Sequence, residues 1–255
     1  MPKPHISYVP LEDMDERMQE EMHRCAREGT PRPESSAVRA HAPNAFWAFA
    51  DSWKSTFHSG VCDHAIKDLC RVYISRTVKC EFCGNQRSEK AIKAGLEEMQ
   101  YDDLLNFEKS DRYDERQKAA LSYAEAIAWG MPADEEAFWG RLHENFSEPE
   151  LVELGCAIAL TFGQQSWIRL LGIDHHQYLA GTSAAMAPGF ETTEAELVEL
   201  GCWVAVTFGQ QSWIRLLGID HHEYLAGTDA SMAPGFRTAE ELVATKARDD
   251  YWAKS

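Results

Sequence analysis

The segment from Glu150 to Phe190 recurs 46 residues later as Glu196 to Phe236, with only six differences in 41 aligned positions. The exchanges are Ala157/Trp203, Ile158/Val204, Leu160/Val206, Gln177/Glu223, Ser183/Asp229 and Ala185/Ser231. Repeat architectures use three or more units that have drifted apart, so two near-identical copies read as a single tandem duplication. Each copy opens on a hydroxyl followed three residues later by Glu, Ser147 to Glu150 and Thr193 to Glu196, the pattern of a capping box. The first copy then predicts a helix over 148–171, about 36 Å long. Leu151, Leu154, Ile158 and Phe162 lie on one of its sides and Cys156, Leu160 and Trp167 on another, so it is apolar nearly all round and belongs in a core. Trp203 in place of Ala157 adds more volume than a close-packed slot accepts. The two copies are therefore not equivalent: the first, directly continuous with the segment 134–146, is expected in the core, the second peripherally or against a neighbouring subunit. The chain divides into 1–40 (an amphipathic helix and linker), 41–190 (the main helical domain with the first copy) and 191–255 (the second copy and tail).

The remaining signals are also helical. Leu11, Met14, Met18, Met22 and Cys25 recur at spacings of three and four, an amphipathic helix whose methionine stripe reads as packing surface. Residues 29–36, with Pro31 and Pro33, read as a linker. Phe46, Phe49, Trp53 and Phe57 form the next stripe, with Asn44 as its expected cap. Further helices are expected over 63–78, over 81–94 with Gly95 ending it, over 114–129 before Gly130 and Pro132, and over 134–146. No window alternates like a strand, so the expected fold is all-α.

Asp and Glu number 41 against 25 Lys and Arg, a formal charge of −16, which excludes a nucleic-acid binder held by a basic face. The densest apolar runs, near 156–162 and 202–208, are far shorter than a bilayer span, and the amino terminus has no secretory apolar region. A soluble, cytoplasmic protein is expected. In a reducing compartment seven cysteines do not form a disulfide framework, so a closely spaced pair carries more meaning.

That pair is Cys80 and Cys83, expected at a helix start with Lys79 before it and Arg87 one turn after Cys83. Helix amides and neighbouring cations favour thiolate, and the spacing allows a reversible disulfide. Half of a zinc site and two buried small side chains are the other readings; zinc takes four ligands as a rule, and no second such cysteine pair exists. His175-His176 and His221-His222 read as polar residues at helix ends, favoured by the dipole. Gln164-Gln165-Ser166-Trp167 and its copy Gln210-Gln211-Ser212-Trp213 read as polar helix positions beside a packing Trp, with the lining of a core pocket as the alternative.

His41-Ala42-Pro43-Asn44, Asp68-Leu69-Cys70-Arg71-Val72, Lys79-Cys80-Glu81-Phe82-Cys83, Lys93-Ala94-Gly95, Ala119 to Ala124 and Glu150 to Leu154 together resemble the carboxymuconolactone decarboxylase/alkylhydroperoxidase D superfamily over about half the chain, His41 to Ile173. The resemblance implies an all-helical homo-oligomer. It implies that Cys83 attacks a peroxide and Cys80 resolves the sulfenate as a disulfide. Asp68 stands in the place of an acid twelve residues before the pair. Arg87 stands where the family has a histidine, and arginine cannot relay a proton because it stays charged.

The favoured reading is a thiol oxidoreductase, peroxidase-like, reducing a hydroperoxide or related oxidant. A dithiol reductant restores it; no bound cofactor or metal is implied, and no nucleotide-binding glycine motif is present. The rivals are a decarboxylase-like lyase of the same superfamily and a non-catalytic redox-sensing or interaction protein.

Overall fold

The computed structural model describes residues 5–28 and 33–173, together with the backbone of 185–186. The helices are α1 (Glu16–Glu28), α2 (Pro33–Arg39), α3 (Pro43–Trp53), α4 (His64–Thr77), α5 (Glu81–Gly84), α6 (Glu89–Lys93), α7 (Glu98–Asp102), α8 (Glu115–Trp129), α9 (Glu135–Asn145) and α10 (Glu148–Leu171). Strand content among the described residues is one two-residue antiparallel pairing of β1 (Gln86–Arg87) with β2 (Ala185–Met186). The fold is all-α. No described helix is long and apolar enough to cross a membrane.

Helix α4 lies at the centre of the described helices. Asp63 caps it by accepting hydrogen bonds from the Ala65 and Ile66 amides, and every residue from His64 to Ser75 is buried. Leu69, Val72, Tyr73 and Ile74 on it join Leu121, Tyr123 and Ala124 of α8 and Leu151, Leu154 and Ile158 of α10 in the main core. A second cluster packs Met14, Met18 and Met22 against Ala37, Phe46 and Ala50, which makes the methionine stripe a packing surface. Phe49, Trp53 and Phe57 stack in series against Leu160.

The long helix follows its sequence signals. Ser147 and Glu150 exchange the reciprocal bonds of a capping box, and Gly172 ends α10 in the left-handed region at φ 63°. The equivalent second-copy segment, both histidine doublets and the 210–213 motif lie outside the described residues.

Three local expectations are corrected. Pro33 to Ser36, read as linker, form the first turn of α2, where a proline at the first position costs no hydrogen bond. Asn44 lies inside α3; Ala42 occupies the cap position, because Pro43 supplies the helical φ at the next residue. The single helix over 81–94 is two short ones. The Asn85 side chain donates to the Glu81 carbonyl and closes α5, the chain runs extended through Gln86 and Arg87, and the Ser88 hydroxyl accepts from the Ala91 amide to start α6. Arg87 therefore does not stand one helical turn above Cys83.

Candidate functional site

A reversal at the end of α4 builds the site. Lys79 adopts φ +56°, unusual for a residue with a side chain, and turns the chain so that the Cys80 amide donates to the Ser75 carbonyl at 3.0 Å. A straight helix would hold Asp68 about 18 Å from Cys80; instead, the turn folds Cys80–Cys83 back alongside α4. Arg71 spans the gap. Its guanidinium donates to Asp68 Oδ1 at 2.6 Å, to the Cys83 carbonyl at 3.0 Å and to the Gln86 carbonyl at 2.9 Å. Tyr101 donates its hydroxyl to the other oxygen of Asp68 at 2.7 Å. Asp68 and Arg71 are both buried, so each charge depends on the other.

Cys80 and Cys83 are joined as a disulfide with Cα atoms 5.3 Å apart, a normal separation for such a bond. Both are buried among Val38, Phe82, Trp167, Ile168 and Leu171. The Cys83 amide points at Cys80 Sγ, 3.4 Å away, so the first turn of α5 places a donor on the first sulfur of the pair. The remaining described thiols are placed against reactivity. Burial, reinforced by Glu21, pushes Cys25 up to about 12; burial likewise raises Cys62 to about 12, Cys70 well above its ordinary value, and Cys156.

Arg87 is held elsewhere. Its guanidinium pairs with Glu98, donates to the Gly84 and Gln86 carbonyls and lies 4.4 Å over the Tyr101 ring; none of these bonds goes to a sulfur. Arg71 is the cation that bonds the Cys83 carbonyl. Its sequence signal was its position three residues after Asp68, an ion-pair spacing on one helix face, and it was hidden because its targets on the loop are backbone carbonyls.

The glutamine pair on α10 braces the site. Gln164 accepts from the buried Arg39 at 2.7 Å, and Gln165 bonds Ser75 Oγ at 3.0 Å and the Arg71 carbonyl at 3.3 Å. Trp167, one turn on, packs in the cysteine cluster. These side chains form internal bonds within the packed core.

His64, four residues before Asp68 on α4, carries no motif signal in the sequence. One ring nitrogen, Nδ1, lies 3.1 Å from the Phe57 carbonyl and Nε2 lies 2.7 Å from Ser88 Oγ. A carbonyl only accepts, so Nδ1 carries the proton and Nε2 accepts from the serine in the neutral ring. Burial drives the imidazole down to about 4, against an opposing pull from Asp68. An unfolded histidine titrates near 6.5, so the unfolded chain takes up the proton first as pH falls. This group's contribution is therefore full above about pH 6.5 and is lost progressively between 6.5 and 4, by about 3 kcal/mol. Urea unfolding at pH 7 and 4.5 measures it, and His64→Gln is expected to flatten that part of the stability curve.

Among the described residues, no group of three or more His, Cys, Asp or Glu side chains is arranged to hold a metal ion. No protein-family model matches the chain. An uncharacterized protein of Mycobacterium tuberculosis, found in two strains, is 32% identical over 92 residues, 36% of this chain. The match spans about a third of that curated relative, 32% of its length. Among solved structures, an alkylhydroperoxidase AhpD core, an uncharacterized peroxidase-related protein from Ralstonia eutropha JMP134, superposes with a TM-score of 0.53 at 19% identity. It covers 65% of this chain and 88% of its own. The debrominase Bmp8 superposes with a TM-score of 0.52 at 15% identity, over 80% of this chain and 97% of its own. At these identities the likeness concerns the fold, and the chain has the fold of the alkylhydroperoxidase AhpD core.

Proposed function

We propose that this protein is a thiol-dependent oxidoreductase, peroxidase-like, working through Cys83 and Cys80. The observation that carries the proposal is the pair itself: two sulfurs bonded across one turn, with the amide of one residue aimed at the sulfur of the other. In the reduced protein the Cys83 thiolate attacks the terminal peroxide oxygen. The O–O bond breaks, the departing alkoxide takes a proton from solvent, and Cys83 becomes a sulfenic acid. Cys80 thiolate then attacks that sulfur; the S–S bond forms and the oxygen leaves as water. A dithiol reductant attacks Cys83, Cys80 departs as thiolate, and the reductant's second thiol completes the exchange and leaves oxidised. The amide on Cys80 Sγ suits both of that residue's steps, since it stabilises the thiolate that attacks and the thiolate that leaves.

Asp68 is a positioning residue in this scheme. Its two oxygens are taken by Arg71 and Tyr101, and through Arg71 it holds the Cys83 and Gln86 carbonyls. Arg87 has the same kind of role on the far side of the loop, tying the Gly84 and Gln86 carbonyls to Glu98. Cytoplasmic residence and a homo-oligomeric assembly belong to the same proposal.

The test is a thiol count under denaturing conditions, taken before and after the reduced protein meets one equivalent of hydrogen peroxide. The count should fall from the chain's seven cysteines by two, with a Cys80–Cys83 linkage by mass spectrometry. An unchanged count removes the reading. Turnover of a lactone or β-keto acid that survives Cys83→Ser would replace it with the decarboxylase-like lyase.

A further inference from the structure

A cavity of about 560 Å³ lies between α1, the helical turn Lys54–His58 and α6. Its charged lining inverts that of the molecule: Arg24, Arg27, Lys54, Lys90 and Lys93 face it, with Glu89 the lone carboxylate, on a chain whose formal charge is −16. We propose that this cavity binds a small dianion, a phosphate group or a dicarboxylate. The proposal does not depend on the cysteines turning over.

The charge balance sets the class of ligand. Three of the five cations are met by carboxylates: Arg24 by Glu21, Arg27 by Glu20 at 3.2 Å, and Lys93 by Glu89 at 3.0 Å. Lys90 donates only to a neutral acceptor, the His58 carbonyl at 3.1 Å, and Lys54 Nζ has no hydrogen bond or ion pair among the described residues. The surplus is two positive charges, which a dianion balances. The cations come from three separate elements, so only the folded chain assembles them, and a concave wall of one sign concentrates counter-ions. The volume lies within the usual range for small-molecule sites. Lysine serves anions as a mobile point charge, which suits a phosphate or carboxylate approached from several sides. Ser59 and Ser88 add polar lining, the Ser88 hydroxyl itself being committed to His64 and to the Ala91 amide.

The test is calorimetric titration of the full chain with inorganic phosphate and with succinate, against sodium chloride at matched ionic strength. Saturable binding of at least one dianion is expected where chloride gives none. Lys54→Glu with Lys90→Glu should weaken it at least tenfold, while Lys109→Glu, an exposed lysine on another part of the surface, should change it less than twofold. Lys54→Gln and Lys90→Gln singly should each weaken it about threefold, which guards against a folding defect in the double variant. A preference for phosphate assigns the site to phosphate esters, and equal or better succinate binding assigns it to dicarboxylates. Neither dianion exceeding chloride, or Lys109→Glu weakening binding as much as the double variant, overturns the proposal.

Discussion

Asp68→Ala is expected to cost the fold about 3–5 kcal/mol, because it leaves the buried Arg71 guanidinium without its counter-charge. The loss extends beyond one ion pair. The Tyr101 hydroxyl loses its acceptor, and Arg71 loses the partner that orients it toward the Cys83 and Gln86 carbonyls. Urea unfolding followed by circular dichroism measures the change. A second variant distinguishes charge from packing: Asp68→Ala with Arg71→Met removes both charges, and it should recover part of the loss, since a buried pair exchanged for apolar groups costs much less than a broken one. If the single variant loses under 1 kcal/mol, the pair does not hold the loop in place.

The second large effect concerns the two cysteines separately. Cys83→Ser should lower peroxide turnover by at least about a thousandfold, because the nucleophile itself is gone. Cys80→Ser should behave differently. Cys83 still attacks once, so one equivalent of peroxide is consumed and the reaction stops at the sulfenic acid, which dimedone traps and mass spectrometry reads on Cys83. Burst without turnover in one variant and no burst in the other is the expected pair of results. The opposite pattern would make Cys80, the sulfur that receives the Cys83 amide, the attacking group. The four other described thiols are silent in either case, since burial holds them in the protonated form.

Where the chain signals its own helix ends, reading it succeeds. Ser147 with Glu150 and the terminal Gly130 act over one turn and need no distant partner. The stretch after the cysteines misleads for the same local reason. Glu81 to Ala94 has helical composition throughout, yet Asn85 and Ser88 use their side chains to close one helix and open another. The exchange is favoured by contacts the sequence does not announce: Arg71 on the Gln86 carbonyl and the pairing of β1 with β2, about a hundred residues away.

By itself the sequence determined the all-helical class, the buried character of α10, and the cysteine pair, because capping, periodicity and spacing are properties of neighbouring residues. Only the tertiary structure decided which cation serves that pair. Arg87 is nearer in sequence but bonds Glu98 and the Gly84 and Gln86 carbonyls, whereas Arg71 reaches the Cys83 carbonyl because Lys79 reverses the chain. It also decided that His64 stays neutral and that five cations share one cavity, since burial and charge density arise when distant segments are brought together in a medium less polar than water.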